Sequence, residues 1–456
     1  MAISTPTKTS YRERLIKSKE EIEEKNGKTL TELYEEKEKR IADASQLRLP
    51  DRVPVTIQTG VFALRQLGIP LSAMYYDHTA YRVASLITAL EFDADTGGVG
   101  LFANSGTAME MLDTKNAAWP GGTLPPNIPY QFVEGEYMKP EEYDLFLNDP
   151  SDFVLRYYLP RVYGLLAPLP KLPPFRNMIG GMGIQGIASI LASPAFRKIG
   201  EVMLKIDEDQ TRLRNEAAEF ADEMVKLGFP PEYVGAGPVG MGGGMAMGIG
   251  VGGAPFDTIS DFLRGMRGTM LDMRRCPDKL LAACDKLFEW RLARAVPAAP
   301  DARGNPRRVF MALHRGSDGF MSIKDFEKFY WPTLKKAILK TIELGCIAMP
   351  FWEGIWDQRL EYLLDLPKGK VIFWCENTDI FKAKEILGDH MCIQGGMPPT
   401  LLQVGSPQDI VEHCKKLIKV VGKNGGYILG PGSAMDYAKP ENVKAMVDTV
   451  KKYGQY

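Results

Sequence analysis

Six cysteines in 456 residues (Cys276, Cys284, Cys346, Cys375, Cys392 and Cys414), none in C-x-x-C spacing, exclude a small disulfide-stapled scaffold. No charge of one sign dominates: 56 Lys and Arg stand against 57 Asp and Glu, a formal net charge of −1. A nucleic-acid binder needs a basic face, and a polybasic membrane anchor needs the same excess, so neither partner is expected. No apolar run is long enough to span a bilayer; the longest weakly polar stretch, 178–192, is short and rich in glycine. The first ten residues are polar without an apolar core, so no signal peptide is expected there, and the chain reads as soluble, reduced and cytoplasmic. G-x-x-x-x-G-K-[ST] does not occur. What is present is ordinary globular composition, 45% hydrophobic and 25% charged, which excludes a mostly disordered chain and a collagen-like fibre.

Residues 11–45 are dense in Lys, Glu and Arg at helical spacing, the pattern of a solvated helix or of a helix pair clasping the outside of a domain. Residues 53–57 (Val-Pro-Val-Thr-Ile) suit a buried strand, 62–68 a helical turn ending on glycine, 80–92 a helix and 97–102 a second strand. Residues 140–165 open with proline and two glutamates, as a first helical turn does, and 193–227 read as a long amphipathic helix. Residues 235–254 are half glycine with three methionines, a lid or packed loop. Gly235-Ala-Gly-Pro-Val-Gly240 matches G-x-G-x-x-G by letter, but no strand is expected before it and no helix after it.

From 308 onward the pattern becomes regular. Strands are expected at 308–313, 346–350, 370–375, 390–394 and 426–429, with helices at 322–344, 356–364, 379–387, 406–421 and 440–453. Alternating strands and helices mean βα units and a parallel sheet. With two or three further units before residue 150 and around 255–287 they make eight, so the fold class is α/β, a (β/α)₈ TIM barrel. Residues 1–50 form an N-terminal helical extension, and 51–456 the barrel, with a helical and Gly-rich insertion at about 166–254.

In such a barrel the reactive groups sit just after the strands. That rule selects His314, Glu353, Glu376 and Gln394 on one rim, with Asn104 and Ser433 at other strand ends. Two carboxylates and an imidazole suit proton transfer or the holding of a polar macrocycle. Their spacing is not a metal-ligand pattern, and no metal is expected. His390-Met-Cys392 spells a zinc half-site, but His390 falls where the loop enters its strand at the bottom of the barrel, and Cys392 reads as a buried thiol.

Residues 314–453 resemble the uroporphyrinogen decarboxylase superfamily. The match is carried by 363–379, Gly388-Asp-His-Met-Cys-Ile-Gln-Gly395, 401–409, Gly425-Gly-Tyr-Ile-Leu-Gly-Pro-Gly432 and Lys439-Pro-Glu-Asn-Val-Lys-Ala-Met446, with weaker echoes back to Arg52. The resemblance implies a barrel whose cleft takes a tetrapyrrole or a methyl group carried on one. Its two main branches are the decarboxylases and the cobamide-dependent methyltransferases. The decarboxylases' R-Q-A-G-R motif stands here as Arg65-Gln-Leu-Gly-Ile69, and their F-S-D as Phe102-Ala-Asn104, so a substrate-holding arginine and an acid are replaced. Isoleucine cannot supply a bidentate contact to a carboxylate. The thiol-methylating branch binds zinc through H-x-C and the cysteine of P-G-C; here these positions are Phe351-Trp-Glu353 and Pro431-Gly-Ser433.

The resemblance therefore implies a long subgroup related to the cobamide-dependent methyltransferases. The expected activity moves a methyl group between a small substrate and a corrinoid, carried on a partner protein, without zinc. His314, Glu353 and Glu376 are the expected acid–base group; Asn104, Arg315, Trp352, Gln394 and Ser433 are the expected contacts to substrate or cofactor. The alternatives are uroporphyrinogen decarboxylation with a rebuilt carboxylate clamp (Arg65, Arg264, Arg267 or Arg315) and a non-catalytic corrinoid-binding protein. A homodimer is expected by the same resemblance.

Overall fold

Six short runs of β-branched and aromatic residues, most of them followed by a helix, assemble into one parallel sheet. In the computed structural model, which describes residues 19–24, 26–97, 105–179, 183–235, 251–295, 297, 299–301 and 303–456, the strand order is Val234–Gly235, Arg308–Leu313, Ile347–Trp352, Ile372–Cys375, Cys392–Met397, Tyr427–Pro431. Every neighbouring pair is parallel. The 53–57 run lies beside the last strand: Leu429 N donates to Pro54 O and Thr56 N to Leu429 O, both at 2.9 Å. Asp95 N then donates to Val55 O at 2.8 Å, bringing the next segment alongside. The strand expected at 97–102 lies almost wholly outside the described residues. The architecture is a (β/α)₈ TIM barrel.

Alternation along the strands separates two cores. Ile347, Met349, Ile372, Trp374, Cys392 and Ile428 point inward and fill the barrel. Ala348, Trp352, Phe373, Ile393 and Leu429 point outward beneath the helices. The helices begin where their caps stand. Ser406 and Asp409 close a capping box at the start of Pro407–Val420, and Ser322 accepts a bond from Asp325 N. The long helix runs Pro194–Lys226, one residue inside each expected end.

Four expectations change. Within the charge-dense N-terminal segment, the helix Leu30–Ser45 is neither fully solvated nor clasped on the outside. Leu30–Ser45 lies under the barrel, where Ile41 and Ala44 join the interior cluster. The charges on its inner face are buried against opposite charges, while Glu32, Glu35, Glu36 and Lys39 stay exposed: Glu38 takes both terminal nitrogens of Arg308 at 3.0 Å, Arg40 reaches Asp51 and Asp95, and Lys37 reaches Asp93. Charge at helical spacing cannot tell water from a complementary partner. Second, a strand does precede the glycine tract, because Val234 and Gly235 pair with Val309 and Phe310; residues 236–250 lie outside the described residues. Third, 140–165 breaks into short pieces, among them Tyr143–Asn148, Pro150–Phe153, a wide turn at Val154–Tyr158 and Leu159–Val162. Fourth, only Leu360–Asp365 is helical between 356 and 364, as a tight 3₁₀ segment.

Candidate active site

The inward positions nearest the strand C-termini build a floor and a rim. Tyr233, Phe310, Phe351 and Trp374 form the floor; Tyr233 stacks on Phe310 at 4.8 Å between ring centres, and Phe351 meets Trp374 at 5.0 Å. Tyr233, Phe310 and Phe351 remain partly exposed. Two residues further along the same strand directions stand Glu353 and Glu376, and His314 follows the Arg308–Leu313 strand.

His314 is held from both sides. Its Nδ1 lies 2.5 Å from Asp261 Oδ2, and its Nε2 faces Glu353 Oε2 at 3.7 Å. Partial burial pulls the imidazole pKa down, but the Asp261 bond and the charges of Asp257, Asp261 and Glu353 outweigh it, and the value is pushed up to about 9. The ring is therefore an imidazolium at neutral pH, with Nδ1–H donated to Asp261 and Nε2–H directed toward Glu353. Glu353 is shifted upward, by burial first and then by Glu376, against the pull of His314. Glu376 accepts from Gly354 N at 2.7 Å, which fastens the loop carrying Glu353 to the next strand end.

A carboxylate below this line fixes its backbone. Asp257 accepts from His314 N and Arg315 N at 3.0 Å and from the Tyr330 hydroxyl at 2.8 Å. Burial pushes Asp257 upward, and nearby Asp261 adds to the shift. Arg315 donates from Nε to Ser260 and Asp261, both at 3.1 Å. Asp257 and Asp261, four residues apart, face the same way from Pro255–Thr258 and the wide turn Ile259–Arg264. Sequence reasoning missed both. An acid in the first turn after Pro255 reads as an ordinary helix start, but the i, i+4 pair of acids, Asp257 and Asp261, was the available signal.

The expected site residues divide accordingly. His314, Arg315 and Glu353 stand together, and Glu376 adjoins them through Gly354. Ser433 is half-buried just past the last strand. Trp352 stands elsewhere: it is fully buried in the outer core, 4.7 Å from Trp356 and 5.6 Å from Phe373 between ring centres. Gln394 is buried at the level of the floor, in register with Trp374 and Ile428, and donates to Glu232 Oε1 at 2.6 Å. Asn104 lies outside the described residues. Of the alternative clamp arginines, Arg264 is already bonded to Asp272, Glu136 and Met138 O, and Arg65 stacks over Tyr437 at 4.1 Å.

A parallel barrel with two carboxylates and an imidazole gathered past its strand C-termini has the form of an enzyme's cleft. Residues 242–453 match the family model for uroporphyrinogen decarboxylase (URO-D). Among curated proteins, a uroporphyrinogen decarboxylase of Syntrophotalea carbinolica is 26% identical over 219 residues, 45% of this chain and 60% of that protein. One from Chlorobium phaeovibrioides is 42% identical over 79 residues, 16% of this chain and 22% of that protein. The chain thus spans less than two thirds of these relatives' length. A methyltransferase from Methanosarcina mazei has the same fold, with a TM-score of 0.52 at 16% identity, covering 91% of this chain and 98% of that one. Over residues 242–453 the chain is similar to the uroporphyrinogen decarboxylase family.

Proposed function

We propose that this barrel enzyme demethylates a small substrate, delivering the methyl group to a corrinoid borne by a partner protein. One observation carries the reading: the Asp261–His314–Glu353 line stands at the cleft mouth as a proton donor charged at neutral pH. An aromatic floor under a polar rim suits a flat ligand with apolar faces and a hydrogen-bonding edge, and the donor set is compatible with a cobamide. When present, the cobamide supplies the centre that takes the methyl group.

The chain's own residues do the rest. Asp261 holds the Nδ1 proton of His314, which leaves the Nε2 proton to be given. As the bond between the methyl carbon and the substrate oxygen breaks, His314 Nε2–H donates to that oxygen, and the half-exposed ring is reprotonated from water. Glu353 orients Nε2–H before transfer, and Glu376 holds the Glu353 loop. Proton donation of this kind is worth roughly 10²- to 10⁴-fold in rate.

Methyl transfer from a panel of methyl donors to free or carrier-bound cobamide, followed spectroscopically without oxygen, tests the reading. H314A and E353A should each lose most of the turnover while binding substrate; full turnover in H314A refutes the assignment. Uroporphyrinogen decarboxylation is the activity for which these relatives are named. Ile69 in place of an arginine and the engagement of Arg264 with Asp272 both count against it, and conversion of uroporphyrinogen to less carboxylated products would restore it.

A further inference from the structure

A total charge of −1 conceals an uneven chain. Residues 154–200 hold no Asp or Glu, while Arg156, Arg161, Lys171, Arg176, Arg197 and Lys198 all fall there. Arg156 is neutralised by Asp152, Arg161 by Glu142 and Arg176 by Asp149, all three acids lying before the stretch. Lys171, Arg197 and Lys198 are exposed.

The same stretch carries misplaced apolar surface. Among the described residues, eight large apolar side chains are at least half exposed, and four of them (Phe175, Ile179, Ile184 and Leu191) lie within this stretch, with Leu204 just beyond it past Glu201. Single exposed apolar residues are normal; a concentration of them marks an interaction surface. Folding does not require them, because the segment has its own core of Leu166, Leu169, Leu172 and Phe196, to which Ile190 adds. Helix Ile184–Leu191 contains no charged residue, and its two ends, seven positions apart, lie on one face, both exposed. Ile179, 89% exposed, stands proud of the surface. A convex apolar tip needs an acceptor that deforms around it.

We infer that these apolar tips, with Lys171, Arg197 and Lys198 beside them, seat the protein on an anionic lipid bilayer. Side chains of this kind enter the boundary between headgroups and acyl chains, cations beside them meet anionic headgroups, and an acid-free stretch removes the repulsion that carboxylates would add. No helix among the described residues is long and apolar enough to cross a membrane, so the association is peripheral. It does not depend on the methyl-transfer reading.

The test is co-sedimentation of the full chain with vesicles of phosphatidylcholine alone or with about 30% phosphatidylserine, an anionic surface of the kind that attracts basic segments. Binding should require phosphatidylserine and weaken severalfold between about 0.1 M and about 0.5 M salt. I179E/I184E should bind roughly tenfold or more weakly, since charged groups then face the apolar boundary. R197E/K198E should bind severalfold more weakly, and both variants should keep the wild-type melting temperature because the altered side chains are exposed. Absence of vesicle binding, or binding unchanged in both variants, overturns the proposal. So does a dimer in solution that I179E/I184E dissociates without any vesicle binding, which would make the face a contact between copies of this chain.

Discussion

Glu38→Ala should be among the most damaging single substitutions on the N-terminal helix. Glu38 and Arg308 have side chains only 3% and 4% exposed and share two bonds at 3.0 Å. Arg308 Nε also donates to the carbonyl of Glu232, and Nη2 to that of Pro231, both at 2.8 Å. Removing the carboxylate leaves a guanidinium buried with only neutral acceptors, a change that costs about 3–5 kcal/mol. Glu35 on the same helix pairs with Arg303 in the open, with side chains 56% and 34% exposed, and Glu35→Ala should cost about 1 kcal/mol or less. The double variant E38A/R308M should be less damaging than the sum of the single ones by about 2 kcal/mol or more, because it removes both ions at once. It should not reach wild type, since the two carbonyls lose their donor. Urea unfolding followed by tryptophan fluorescence reads wild type, E35A, E38A, R308M and E38A/R308M. A loss below about 1 kcal/mol in E38A, or strict additivity in the double variant, would refute the claim that this buried ion pair holds the N-terminal helix to the barrel.

Three further outcomes are expected. Because the His314 pKa is raised to about 9, the Asp261–His314 pair contributes stability that is complete below the free value of about 6.5 and lost as pH rises through about 9; turnover should fall on the same alkaline limb, and Asp261→Asn should move that limb downward in a pH–rate profile. Glu232 is pushed up to about 7 by burial, against a hydrogen bond from Gln394, so stability should decline by on the order of 3 kcal/mol between about pH 4.5 and pH 7, and Glu232→Gln should flatten that part of the urea-derived profile. Trp352→Ala should cost about 3–5 kcal/mol through the cavity it leaves, while Trp352→Phe, keeping most of the packing, should leave methylcobalamin affinity unchanged in a spectroscopic titration.

The C-terminal strands were legible because each is a short β-branched or aromatic run, most of them ahead of a helix marked by Pro407, Pro440 or an Asp or Ser cap. Their observed limits differ from the expected ones by a few residues at most, as at Cys392–Met397. Strand parity explains where site reading failed. Phe351 and Glu353 share the inward face, so Trp352 between them has to point into the outer core. Level explains Gln394: it pairs with Trp374, two residues before Glu376, and therefore belongs to the floor rather than the rim. Asp257 and Asp261 were hidden for another reason. They sit on a helical segment far from His314 in sequence, and only the folded chain puts their oxygens against its backbone and ring. The N-terminal helix shows the same blindness, since its partners lie on the Arg308–Leu313 strand and on the loops carrying Asp51, Asp93 and Asp95, which sequence spacing cannot connect to it.

The ties across the barrel floor also constrain the order of events during synthesis. Glu38 meets Arg308 across 270 positions, and Asp93 meets Lys451 across 358. Contacts of such long range close late, because most of the chain must exist before either partner is in reach. On the ribosome the N-terminal helix emerges early, carrying Lys37, Glu38 and Arg40 with no barrel yet to receive them. Its charges keep that waiting segment in water, where an apolar plug would invite aggregation. A stopper written in charged residues is thus suited to being made first and fitted last.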